Sequence, residues 1–358
     1  MGWRCVLLVV VSLVAMGGCP ACQPVDAQAW PEADALFHTD PRWIGGDGAM
    51  TVDLGDDRIL WLFGDSFIAN TPERVRARSH MVRNSVALQT GRNPAQAFMR
   101  FAWAGDALEP RSWFPEEGAE WFWPGQGVRL GDRVLLFYLR IKQVGEGMWG
   151  FASAGWTATL AGPVDADLNQ WTFQPVALPA SSFGVNWGHA VLDEPDGHLY
   201  VYGERGREHA ILLVRFRRDD AERGDLSKPE WWCGPRGWGG DCEPEELFSP
   251  GAPELSVQRD SRAGGFVMVH TVGFGASTLA IRTAPTPQGP WSATRDVYTP
   301  QESAEQDTLV YAGKGHPGLT GADVVATYVA GRLGTIPVEE EHRLYWPRFV
   351  RINWEGVP

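Results

Sequence analysis

Short apolar runs separated by polar turns dominate the chain, and apolar residues almost never recur at helical spacing. Strongly apolar stretches occupy 59–63, 134–139, 199–202, 266–270 and 324–329. Each follows a turn signal: Gly55-Asp56-Asp57, Gly131-Asp132, Pro195-Asp196-Gly197, Ala263-Gly264-Gly265 and Gly321-Ala322-Asp323. Further β-type stretches follow at 84–89, 150–157, 211–216, 277–283 and 345–352. Runs this short, bounded by Gly, Pro and Asp, predict strands. The pattern returns about every 65 residues, and five antiparallel units predict an all-β, five-bladed β-propeller. A pair of β-sandwiches is the rival, but it gives no reason to repeat one turn and one apolar strand five times. The folded domain is expected over 36–358.

The first unit holds two acids in a telling place. Folding the chain at Asp56 sets Asp47 opposite Asp65, each nine residues from the turn centre and each flanked by Gly. In a propeller the first strand of each blade lines the central channel. The residues opening those strands therefore gather at one mouth: Asp47, Gln126, the group Asn186-Trp187-Gly188-His189, Glu254 and His316. Two carboxylates side by side among small residues are what hydrolysis of a glycosidic bond requires. One is kept protonated by its neighbour's charge and by burial and acts as acid; the other stays ionised as base or nucleophile. The competing reading makes both of them turn caps.

Other residues at the mouth have two readings each. Glu254 completes an acidic trio, as modulator or as the acid itself, or is a surface carboxylate after a Pro turn. Glu204 ends the third apolar run as Asp65 ends the first, and is either a substrate ligand or an ion-pair partner of Arg205 or Arg207. His189 and His316 contact sugar hydroxyls or are packed, satisfied side chains. Trp123 and Trp187 offer faces for sugar stacking or serve blade packing.

Composition narrows the partners. With 18 Trp among 358 residues, aromatic stacking and packing are both well supplied. A net charge of −13 argues against nucleic acid and anionic membranes. Residues 1–19 read as an export signal, with Arg4 before an apolar run at 6–16. Met16-Gly17-Gly18-Cys19 is similar to a bacterial lipobox, which predicts lipidation at Cys19, a tether over 20–35 and an envelope lipoprotein. Ordinary secretion is the alternative. Cys233 and Cys242 bracket a Gly-rich loop and are expected to form a disulfide. No metal site, organic cofactor or further membrane segment is expected. A cation in the channel is conceivable, but no ligand spacing indicates one. The expected protein is a monomer. A Gly-x-Ser-x-Gly elbow and a Gly-rich phosphate cradle are both missing.

Several phrases carry a family resemblance: Gly46-Asp47-Gly48-Ala49, Leu60-Trp61-Leu62-Phe63-Gly64-Asp65-Ser66-Phe67, Asn84-Ser85-Val86-Ala87, Trp187-Gly188-His189-Ala190-Val191, Gln288-Gly289-Pro290-Trp291-Ser292 and His316-Pro317-Gly318-Leu319. Over roughly 38–352 the chain resembles the propellers of domain of unknown function 4185, which include the endo-D-arabinanases of glycoside hydrolase family 183. It is more distantly similar to family 43. The resemblance implies hydrolysis of a furanoside polysaccharide, an arabinan foremost, with Asp47 and Asp65 as the catalytic pair. It also implies that Asn84 reaches or braces the site. The alternative is a non-catalytic, carbohydrate-binding surface propeller.

Overall fold

The computed structural model describes residues 25–147, 149–273 and 277–355. The export signal, Cys19, Cys22 and the first part of the expected tether lie outside them. The fold is predominantly β. Among the described residues, five antiparallel sheets of four or more strands follow one another along the chain.

The first comprises Met50–Gly55, Arg58–Phe63, Ser85–Thr90 and Phe98–Ala102. The second comprises Glu120–Leu130, Arg133–Gln143, Phe151–Gly162 and Thr172–Pro175. The third is built on Asn186–Glu194, His198–Arg205 and Ala210–Arg217. The fourth comprises Leu255–Asp260, Gly265–Val272, Thr278–Ala284 and Arg295–Tyr298. The fifth comprises Thr308–Gly315, Val324–Arg332 and Pro347–Trp354, with Val25–Ala29 at its edge.

Every strongly apolar run is the second strand of its sheet, and the packing explains why. Side chains alternate across a strand, and both faces of these strands are covered. Leu136 and Tyr138 join the core shared with the first sheet. Leu135 and Phe137 join the core shared with the third. Further cores lie between the third and fourth sheets, the fourth and fifth, and the fifth and first. Polar contacts follow the same circuit. Gln126 donates to the carbonyl of Thr51, Gly315 N–H donates to Ser256 Oγ, and Lys314 donates to the carbonyl of Gly48. Cys233 and Cys242 form a disulfide in a loop of the third sheet.

Two expectations are corrected. The tether was expected to run to residue 35, yet Val25–Ala29 pairs along Pro347–Trp354, and Trp30 and Ala33 are buried. An edge strand is held by backbone pairing, which asks little of composition, so a segment rich in Ala and Gln passes for a linker. His316 was expected to open a strand, but the fifth sheet opens at Thr308 and His316 follows its end.

Candidate active site

The turn over Asp56 and Asp57 sets up the site. Both residues hold positive φ (51° and 56°), as a two-residue hairpin turn matching strand twist requires. Pairs Met50↔Leu62 and Gly46↔Ser66 share one register, which puts Asp47 opposite Asp65. Gly64 donates its N–H to the carbonyl of Asp47 at 2.9 Å. A Cβ on Gly64 would collide with Asp47 Oδ1, so glycine keeps that oxygen's surroundings clear.

Each carboxylate has its own donors. Asp47 Oδ2 accepts from the hydroxyls of Tyr311 at 2.8 Å and Tyr345 at 3.2 Å. The Tyr345 hydroxyl also lies 3.2 Å from the Asp65 carbonyl, tying the two strands together. Tyr345 holds a positive φ of 64°, a strained backbone for an aromatic residue. Its ring lies against the buried guanidinium of Arg76. Asp65 Oδ1 accepts from Trp123 Nε1 at 2.9 Å, and Oδ2 pairs with Arg83 at 3.2 Å.

Burial pushes the Asp47 carboxyl up to about 7, helped by the negative charges of Asp65 and Glu254 and opposed by the two tyrosine hydroxyls. Burial also raises Asp65, but Arg83 and Trp123 oppose it there by favouring the charged form. Burial and the charge of Asp47 hold both tyrosines far above the usual phenol range. Oδ2 of Asp47 is engaged by two donors, whereas Oδ1 lies over Gly64. Arg83 beside Asp65 favours its charged form.

Glu254 stands just before the fourth sheet and joins this cluster. Its Oε2 accepts from Lys314 Nζ at 2.6 Å, and the same ammonium donates to the carbonyl of Gly48 at 2.6 Å. Lys314 is buried, with 2% of its side chain exposed. Sequence reasoning missed Lys314, Tyr311, Tyr345 and Arg83. A lysine inside an otherwise apolar strand was the one available signal.

The remaining sequence candidates divide. His189 sits on a bulge between Trp187 and Ala190 and stays partly exposed. Burial lowers its pKa, opposed by the nearby charges of Glu204 and Glu254. Trp123 faces Asp65 as a hydrogen-bond donor and keeps partial exposure. Glu204 is buried, with its oxygens taken by Asn186 and His209. The proposed substrate contacts at Trp187, His316 and Asn84 are corrected. Trp187, 3% exposed, packs on Trp231 in the core between the second and third sheets. His316 is buried, each ring nitrogen meeting a threonine hydroxyl, of Thr51 and Thr327. Asn84 braces the backbone of Phe114 and Phe122. Gln126 stays partly exposed and donates from Nε2 to the carbonyl of Thr51. Among the described residues, no group of three or more His, Cys, Asp or Glu could hold a metal ion.

A model of one protein family matches residues 32–354, nearly the whole described chain. The chain belongs to the family described as domain of unknown function DUF5005. Domain 4185 and family 183 thus rest on sequence phrases alone. No curated protein matches the chain. Among solved structures, a candidate hydrolase from Bacteroides ovatus superposes with a TM-score of 0.71 at 18% identity, covering 93% of each chain. The catalytic domain of a family 62 α-L-arabinofuranosidase from Coprinopsis cinerea gives 0.50 at 12% identity, covering 89% of this chain and 93% of that one. At these identities the likeness to this DUF5005 member concerns the fold.

Proposed function

We propose that this DUF5005 protein is a glycoside hydrolase. Its substrate in this reading is a furanoside-containing polysaccharide, an arabinan foremost, and its five sheets are the blades of a propeller. Asp47 donates a proton from Oδ1 to the leaving oxygen. Asp65, held ionised by Arg83, acts on the anomeric side as base or nucleophile. Glu254 adds negative charge that keeps Asp47 protonated near neutrality. The observation that carries this reading is a carboxyl raised to about 7 in register with a second one beside a cation. Two acids whose surroundings push them apart are a signature of acid–base division. The fold shared with an arabinofuranosidase supports the substrate class. Export and lipid anchoring through Cys19 belong to the same proposal, as does action as a monomer.

The test is hydrolysis of a panel of arabinans, other furanans and xylans by the wild-type protein, read as reducing ends released. Cleavage of a furanan bears the proposal out. Binding of an oligosaccharide with no cleavage of any polymer replaces it with a carbohydrate receptor.

The tyrosines give a finer check. Their hydroxyls favour the ionised form of Asp47, so Tyr311→Phe and Tyr345→Phe each raise its pKa further. The basic limb of the pH–activity profile then moves to higher pH in both variants. A limb that moves down, or stays, removes Asp47 as the proton donor.

A further inference from the structure

Tyr345 reaches Asp47 on a backbone that an aromatic residue seldom adopts, with φ at 64°. Such a conformation persists only where its surroundings fix it from several sides. Its N–H donates to the Ala330 carbonyl at 2.6 Å, and its carbonyl accepts from Gly46 N–H at 3.0 Å. A further hold comes from Arg76, which sits in a single helical turn, Arg76–Arg78, between the strands Ser66–Ile68 and His80–Val82. Arg76 is buried. Its Nη2 donates to the carbonyls of Leu344 and Glu341, each at 2.8 Å. Its Nε donates to the carbonyl of Ile44 at 2.8 Å. Its backbone N–H donates to Glu341 Oε2 at 2.8 Å. The guanidinium carbon lies 5.6 Å from the ring centroid of Tyr345 and 5.8 Å from that of Trp346. One side chain thus grips the chain just before Asp47 and, across the site, just before Tyr345.

Gly45 makes room for this grip. It holds φ at 124°, and a Cβ there would come within 2.5 Å of both Arg76 Nη2 and the Tyr345 carbonyl oxygen. Burial lowers Arg76 to about 10, opposed by Glu341 and the two tyrosines, so the group stays charged at neutral pH. We propose that Arg76 is a positioning residue: it clasps the segments that carry Asp47 and Tyr345 and so keeps the Tyr345 hydroxyl on Asp47 Oδ2. A planar fork spans carbonyls on two segments, where a single ammonium does not. Asp47 is faced by Asp65 with its partner Arg83, by Tyr311 and Tyr345, and by Glu254 with its partner Lys314. Of these contacts the clasp bears on the one with Tyr345. The inference rests on the hydrolase reading above, in which Asp47 is the proton donor, and deepens it. The Tyr345 hydroxyl favours the charged carboxylate, so the clasp regulates the pH at which the donor loses its proton.

The experiment follows the Asp47 carboxyl by carbon-13 NMR across pH, its signal assigned by its absence in Asp47→Asn. Wild type, Tyr345→Phe, Arg76→Lys and the double variant are compared, and kcat on linear arabinan is measured beside each titration. Lysine keeps the positive charge and loses the fork, so a change reports position rather than charge. In Arg76→Lys the midpoint, about 7 in wild type, moves up as it does in Tyr345→Phe. Its kcat falls about tenfold with KM near the wild-type value. The double variant titrates where Tyr345→Phe does. A midpoint that Arg76→Lys leaves in place, or moves equally with and without the Tyr345 hydroxyl, overturns the clasp and leaves the hydrolase standing. A second measurement keeps Arg76 intact: the nitrogen-15 signal of its Nε follows the titration of Asp47 in wild type and no longer does so in Tyr345→Phe. A signal that ignores Asp47 in both proteins also overturns the clasp. A wild type that cleaves no polymer overturns the hydrolase, and the two titrations still decide the clasp.

Discussion

Asp47→Asn abolishes polymer hydrolysis, by a factor on the order of 10³ or more, and makes the folded protein more stable above pH 7. Both effects come from one cause. An asparagine keeps the size and the acceptor for Tyr311 and Tyr345 but has no proton to give. The wild-type carboxyl is raised to about 7 from the ordinary 3.8, so the native state binds a proton that the unfolded chain releases. Its stabilising contribution is complete below the unfolded value and is lost as pH rises through about 7. A shift of this size corresponds to a few kcal/mol, roughly 1.4 kcal/mol for each pH unit. The melting temperatures of wild type and variant are therefore close near pH 4 and diverge towards pH 8, with the variant higher. Scanning calorimetry across that range reads the difference. A gap that does not depend on pH means the carboxyl is not held protonated, and turnover within tenfold of wild type means it is not the donor. Asp65→Asn also loses hydrolysis; burial raises this carboxyl too, but Arg83 loses its anion, so the gain in stability on the alkaline side is smaller than for Asp47→Asn.

What the sequence reveals follows from which interactions leave a compositional trace. The second strand of every sheet is legible because both its faces are buried, as Leu135 and Leu136 show by entering different cores. The register of Asp47 on Asp65 is only half legible: the Asp56-Asp57 turn pairs Gly55 with Arg58, and a bulge between Asp53 and Gly55, which the sequence does not announce, shifts the ladder to Asp53↔Ile59 and Met50↔Leu62. The edge strand Val25–Ala29 is not legible, since backbone pairing alone secures it. Nor are the partners of the catalytic pair. Tyr311 and Tyr345 lie 264 and 298 residues from Asp47, and only the packing of the fifth sheet against the first brings them there. Tryptophan misleads in both directions. Trp187, placed by its phrase at the mouth, is core, whereas Trp149, set among the turn glycines Gly145, Gly147 and Gly150, is 52% exposed.

Lys314→Met costs about 3 kcal/mol of stability, and much of that cost is recovered when Glu254→Gln is added. The methionine fills the volume of a side chain that is 2% exposed, so the loss is not one of packing. It comes from the two acceptors the ammonium leaves behind, the carbonyl of Gly48 and the carboxylate of Glu254. Breaking a buried ion pair from one side is more damaging than never having had it, because the surviving charge stays desolvated. Glu254 keeps 26% of its side chain in solvent, which sets the expected cost at the lower end of that class. Lys314→Met combined with Glu254→Gln removes the uncompensated charge and recovers towards wild type, and the recovery is read as a coupling energy in a double-mutant cycle. The carbonyl of Gly48 remains untethered in both, so the loop that carries Asp47 is no longer anchored and kcat stays low even where stability returns. No recovery in the double variant would mean that Lys314 acts through shape rather than charge.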